Sequence, residues 1–152
     1  MTTVTIRPAT AADTEAWLAL RCALWPDGTA AEHRAEIEQY LAGAFPRGPW
    51  VALLAEDGDG RVVGLAEVST RPCAEGCETT PVAYLEGWIV AEAVRRAGVG
   101  RALVDAAAAW GRERGCRGFA SECEPENHVS AAAHQALGFE DAGLVRCFRR
   151  DL

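Results

Sequence analysis

Arg95-Arg96-Ala97-Gly98-Val99-Gly100 stands between the apolar stretch Val82–Val90 and an amphipathic stretch that begins near Val99. If these flanks are a strand and a helix, the helix N-terminus presents unpaired N–H groups and about half a positive charge to an anion. Gly98 and Gly100 lack Cβ, so a phosphate or pyrophosphate can come close to the backbone, and Arg95 and Arg96 add full charge. A dinucleotide site is not indicated, because the position of its third Gly or Ala is Leu103. A strand–helix turn that uses glycine only for tightness is the other reading of these residues.

Two carboxylates occupy places where chemistry is plausible on cost alone. Glu86 lies inside the otherwise apolar run Val82–Val90, where an isolated charge is expensive. It either pairs with an arginine or has a task as a base or an ammonium-orienting group. Glu122 follows the apolar Gly118–Ser121 and is either an acid for a cationic ligand or a solvated strand end. Glu140 is a further candidate of the same kind.

Composition narrows the chemistry. Across 152 residues there are 22 acidic against 15 basic side chains, a net charge of −7, and every basic residue is Arg. The absence of Lys excludes a Schiff-base mechanism and the lysine of a P-loop. The acidic balance argues against a nucleic-acid partner and suits a cationic ligand. Six Cys without a Cys-x-x-Cys pair, and only three His, give no metal-site spacing and no disulfide framework. No stretch reads as a membrane span or a leader, so a cytoplasmic location is expected.

The elements that must position these residues follow from periodicity and turn chemistry. Val4–Arg7 reads as a strand ending at Pro8, and Asp13 opens a helix through Leu24, closed by Pro26-Asp27-Gly28. A second helix covers Ala30–Ala42, with turn residues Pro46, Gly48 and Pro49 after it. Trp50–Glu56 and Arg61–Ser69 flank Asp57-Gly58-Asp59-Gly60 as a hairpin, and 71–81 is a polar loop before the strand Val82–Val90. Then come the helix Val99–Arg114, a buried strand Gly118–Cys123, and a short helix Ser130–Leu137. Phe139–Asp141 and Leu144–Arg149 read as a closing strand pair. The order βααβββαβαββ predicts one α/β layered domain over residues 1–152.

The string from Val90 to Leu103 resembles the acetyl-CoA motif of the GNAT acetyltransferase superfamily, Arg/Gln-x-x-Gly-x-Gly/Ala. Asn127, His134 and Leu137-Gly138-Phe139 match that superfamily's second signature, and Ile6-Arg7-Pro8-Ala9 its opening strand. The resemblance implies an α+β fold with a mixed, mostly antiparallel central sheet and helices on both faces. It implies acetyl-CoA as cosubstrate, its pyrophosphate on residues 95–100, its pantetheine arm along the strand at Ile89 and Val90, and Asn127 against that arm. Many members carry a Tyr four residues before the glycine of Gly-Phe, placed to protonate the leaving thiolate. Here that residue is His134, which either replaces the Tyr or is an ordinary helix histidine. A thiolate of pKa near 8.5 needs little help at neutral pH.

Longer strings are similar to the small dimeric bacterial aminoglycoside 6′-N-acetyltransferases, which confer antibiotic resistance. They include Leu20-Arg21-Cys22-Ala23-Leu24-Trp25-Pro26, Gly76-Cys77-Glu78-Thr79-Thr80-Pro81 and Tyr84-Leu85-Glu86-Gly87. The similarity implies a homodimer that acetylates a polycationic substrate, with Glu86, Glu122 and Glu140 as its acids. Trp25 then either stacks on a sugar ring or closes the core. Two other functions share the donor motif: acetyl transfer to another amine, such as a polyamine or a protein N-terminus, and acyl-CoA binding without turnover.

Overall fold

The computed structural model describes residues 3–45 and 48–152. Its strands β1 (Val4–Pro8), β2 (Trp50–Asp57), β3 (Val62–Arg71), β4 (Val82–Val90) and β5 (Gly118–Ser121) lie side by side in chain order. The first four run antiparallel and β5 runs parallel to β4. A parallel pair needs a crossover. Helix α3 (Val99–Glu113) supplies it, and α1 (Thr14–Leu24), α2 (Ala30–Leu41) and α4 (His128–Ala136) complete the layers.

Period-two alternation decides which face each helix covers. Val51, Leu53 and Ala55 of β2 point to one side, where they pack with Leu103, Val104 and Ala107 of α3. Ala52 and Leu54 point to the other, where they meet Trp17 and Leu18 of α1 and Ile37 of α2. The expected helices on both faces of a mixed sheet are therefore present. Thr29 and Glu32 form a reciprocal capping box at the start of α2, and Gly115, at φ +79°, ends α3. The hairpin turn closes on Asp57, whose Oδ1 accepts from the amides of Asp59 and Arg61 at 2.9 Å each.

The last quarter departs from the sequence reading. Strand β5 stops at Ser121 rather than Cys123 and is half-buried, since only β4 flanks it. Phe139–Asp141 and Leu144–Arg149 form no strand pair: residues 140–152 are exposed, including Leu144, Val145 and Phe148. Their apolar residues have the composition of a strand, but a strand exists only by pairing. Nothing among the described residues of the chain pairs with them. The turn expected at Pro46 lies outside the described residues.

Candidate active site

Strands β4 and β5 part at one edge of the sheet. Their pairing runs from Val82 opposite Gly118 to Leu85 opposite Ser121 and goes no further. Beyond it, Gly87–Val90 pair with β3 on one side, and among the described residues no strand lies along the other edge. A second irregularity coincides with the first. Glu67 of β3 stands opposite Gly87, but Val68 stands opposite Leu85, so Glu86 is an extra residue bulged out of β4. A bulge bends a strand and re-aims a side chain, which is why bulges gather at active sites.

At the far end of this open edge the chain enters α3. Gly98 is the residue before the helix and has φ +86°, a conformation that costs a side chain and not a glycine. The first helical bond is from Ala102 N to Gly98 O, which leaves the amides of Val99, Gly100 and Arg101 without helical acceptors. They stand at the positive end of a helix with no acidic residue in its first turn, an arrangement that can accept an anion. Arg96, also at positive φ (62°), and Arg95 are exposed beside it, and Ala97 completes the turn. Arg95 Nε donates to Val90 O at 3.0 Å, tying the turn to the strand end. Gly100 has a packing role that spacing did not reveal: a Cβ there would lie 2.9 Å from the Trp88 ring.

Glu86 is placed on the α1/α2 side of the sheet, where it has the arginine partner that one reading of the sequence expected. Its Oε1 accepts from Ser69 Oγ at 2.6 Å and from Arg71 Nε at 3.2 Å, and its Oε2 accepts from an Arg71 terminal nitrogen at 2.7 Å. The carboxylate is paired, yet it stays at the mouth of the parting strands. Arg71 also lies flat on Tyr84, its Cζ 3.5 Å from the ring centroid. Burial disfavours the Arg71 charge, but the hydrogen bonds and charge of Glu86 outweigh it, and the net pKa is raised. Burial, with the charge of Glu122 next, pushes the Tyr84 phenol up to about 12. Tyr84 and Arg71 thus both feel Glu86 and Glu122, which brings the two predicted carboxylates to one cluster. Glu122 is exposed.

Beneath this cluster lies a second one. Arg21 of α1 donates to Glu36 of α2 and stands 3.3 Å from Glu67 Oε1. Glu67 is only 1% exposed, and burial pushes its carboxyl up to about 7 despite the opposing charge of Arg21. Trp25 rests against β4 at Gly87, where a Cβ would collide with the indole. The Arg21 guanidinium lies 5.0 Å from that ring. Trp25 is half-buried, stacked on His33 and set against the residue that follows Glu86. Ser69, Arg71, Tyr84, Glu67 and Arg21 were not picked out from sequence. The signal for three of them was available: Glu67, Ser69 and Arg71 are polar at every second position of an apolar strand, which places them on one face.

The remaining candidates separate. His134 Nδ1 lies 2.7 Å from Ser130 O, and Nε2 lies 2.8 Å from Ser121 Oγ, which also reaches Leu85 O at 3.0 Å. A carbonyl can only accept, so the Nδ1 proton is committed to it. The ring packs edge-on against Trp88 and Phe139. Asn127 caps α4, its Oδ1 accepting from Ser130 N at 3.0 Å. Glu140 lies on the exposed segment after Phe139. Among the described residues no group of His, Cys, Asp and Glu could hold a metal ion.

Comparison with known proteins shows the family and the fold. The Acetyltransferase (GNAT) family matches residues 14–139, from the start of α1 past the end of α4. The aminoglycoside N(6′)-acetyltransferase type 1 of Klebsiella aerogenes is 49% identical over 147 residues, 97% of this chain and 96% of the relative. Its namesake from Stenotrophomonas maltophilia is 45% identical over 97% of this chain and 94% of its own. Among solved structures, aminoglycoside N-acetyltransferase AAC(6′)-Iy in complex with CoA superposes with a TM-score of 0.90 at 35% identity, over 100% of this chain and 97% of that one. A family match over residues 14–139, with a relative 49% identical over nearly the whole length, means that this chain belongs to the acetyltransferase (GNAT) family.

Proposed function

We propose that the protein is an aminoglycoside 6′-N-acetyltransferase, moving acetyl from acetyl-CoA to the 6′-amine of the antibiotic. The observation that carries the acceptor side is the convergence of Glu86 and Glu122 on Arg71 and Tyr84 where β4 leaves β5. The relatives' names support it, as does the similarity to AAC(6′)-Iy in complex with a bisubstrate analogue, CoA-S-monomethyl-acetylneamine (TM-score 0.89, 35% identity). In this reading the pantetheine arm lies along the open edge at Ile89 and Val90, with Asn127 beside it, and the pyrophosphate sits on residues 95–100.

A polycation is drawn to the site by carboxylates, but its amine must be neutral to attack. A lysine-type amine has a pKa of about 10, so the proton has to go somewhere. Glu86 orients the ammonium and takes that proton. The amine nitrogen then bonds to the thioester carbon, a backbone N–H near Ile89–Val90 holds the developing oxyanion, the C–S bond breaks, and the second amine proton passes to the leaving thiolate, giving the amide and the free CoA thiol. The thiolate leaves without a dedicated acid, since the Nδ1 proton of His134 is held by Ser130 O. Glu122 contributes attraction, and Trp25 walls the acceptor side.

The exposed segment 140–152, with Leu144, Val145 and Phe148, is covered in this reading by a second copy, giving a homodimer in the cytoplasm. Sedimentation giving only a monomer-sized species at micromolar concentration would end that part. A panel of 6′-amino and 6′-hydroxy aminoglycosides, polyamines and N-terminal peptides, read by thiol release, tests the rest. Turnover confined to the 6′-amino compounds is the expected result. Turnover on polyamines or peptides alone, or none on any amine, would overturn it.

A further inference from the structure

Arg71 has no part in the reaction just described, yet it is the one residue that holds both carboxylate oxygens of Glu86. Its guanidinium grips Glu86 through both carboxylate oxygens, at 3.2 Å from Nε and 2.7 Å from a terminal nitrogen. Its own orientation is fixed by stacking on Tyr84. Ser69 Oγ takes another position on Oε1, at 2.6 Å. An ionised carboxylate offers about four acceptor positions. With these bonds made, Oε1 is filled and Oε2 keeps one free position.

We propose that Arg71 is a positioning residue, which holds the Glu86 carboxylate so that the remaining acceptor position of Oε2 meets the acceptor amine. The proposal rests on the reading of Glu86 given above. Arginine suits the task for two reasons. It stays charged at any working pH and so never competes for the proton that Glu86 receives. Its planar fork also fixes the plane of the carboxylate, which a point charge does not. The bulge makes the clamp necessary, because an extra residue in β4 lacks the ladder partner that steadies its neighbours. A carboxylate misplaced by about 1 Å costs on the order of 10²-fold in rate.

The test is steady-state kinetics with a 6′-amino aminoglycoside on Arg71→Met, Arg71→Lys, Glu86→Gln and the double variant Arg71→Met/Glu86→Gln, with acetyl-CoA affinity measured by calorimetry to show that each is folded. Arg71→Met should lower kcat by roughly 10- to 100-fold while KM for the aminoglycoside stays within about threefold. Arg71→Lys keeps the charge and loses the fork, so it should recover only part of the rate. The double variant should be no slower than Glu86→Gln alone, because Arg71 acts through that carboxylate. If Arg71→Met does not fold, Arg71→Gln carries the same comparison. Full kcat with a lowered KM would make Arg71 a competitor for the substrate's cation and overturn the proposal. Full activity in Arg71→Lys, or defects that multiply in the double variant, would also overturn it. An unimpaired Glu86→Gln removes the reading of Glu86 and the proposal with it. An impaired Glu86→Gln beside an intact Arg71→Met removes the proposal alone.

Discussion

The two sides of the parting between β4 and β5 are built by different means. In the proposed reading the working groups of the donor side are backbone: the edge of Glu86–Val90 left open by β5, the amides at the start of α3, and a glycine at φ +86° between them. On the acceptor side they are side chains drawn from α1, α2, β3, β4 and the end of β5, linked as Arg21–Glu36, Arg21–Glu67, Arg71–Glu86 and Ser69–Glu86. A donor common to a whole family can be held by a backbone shape that tolerates almost any side chain. Selecting one cationic acceptor requires charges in fixed places, and those come from residues far apart in the chain. The comparison predicts that acceptor-side changes act on rate and acceptor affinity, and donor-side changes act on CoA binding.

The largest effect should come from Glu86→Gln, which keeps shape and removes the proton acceptor. A loss in kcat of about 10²-fold or more is expected, on the usual scale for a general base. The loss should be worst at low pH, where few substrate amines are already neutral. Acetyl-CoA affinity, measured by calorimetry, should not change. A weakened affinity would blur the division between the two sides.

Next in size is the donor-side counterpart. Gly98→Val puts a branched side chain at φ +86° and should weaken CoA binding by at least about tenfold, by disturbing the amides it precedes. Gly100→Ala is the sharper probe, since its Cβ meets Trp88 2.9 Å away and not the backbone. Displacement of the Trp88 ring would disturb the edge beside Ile89. Unchanged CoA affinity in folded Gly98→Val would mean that these amides hold no anion.

How much of this could be read in advance follows the same division. The strand-to-helix turn was legible because Gly98 and Gly100 act locally, between Val90 and the start of α3. Glu86 was legible as an anomaly, a charge in an apolar run, but whether it was paired depended on Arg71, fifteen residues away. The pairing itself came from the register of β3 on β4 and a bulge that no local pattern announces. The closing strands at Phe139–Asp141 and Leu144–Arg149 failed for a related reason. Alternating apolar residues state a preference for pairing and cannot say whether the partner lies in the same chain.

Glu122→Ala should have a smaller effect, because the carboxylate is exposed and acts by attraction. A rise in KM for aminoglycosides of about three- to tenfold with kcat kept is the pattern of lost uniform binding. The rise should shrink as salt is added, since an exposed charge is screened over about 10 Å at 0.1 M. An equal fall in kcat would instead place Glu122 at the reacting amine. His134→Phe should change the rate between pH 6 and 8 by less than about threefold, whereas a general acid would cost on the order of 10²-fold or more.

The smallest effect expected is a change of slope, at Glu67. Its carboxyl is pushed up to about 7 by burial, from an ordinary value of 4.5. Between those two values the folded protein binds more protons at this site than the unfolded chain does. Stability must therefore fall as pH rises through this window, because the unfolded state is favoured wherever it holds fewer protons. Arg21 opposes the shift without cancelling it, being shared with Glu36. Glu67→Gln has nothing to titrate, so its urea midpoint should decline less between pH 5 and pH 7.5 than that of the wild type. Other groups contribute the same slope to both proteins and drop out of the difference. A wild type and a variant with parallel profiles would mean that Arg21 holds Glu67 ionised throughout. The layer beneath the acceptor site would then be a settled ion pair.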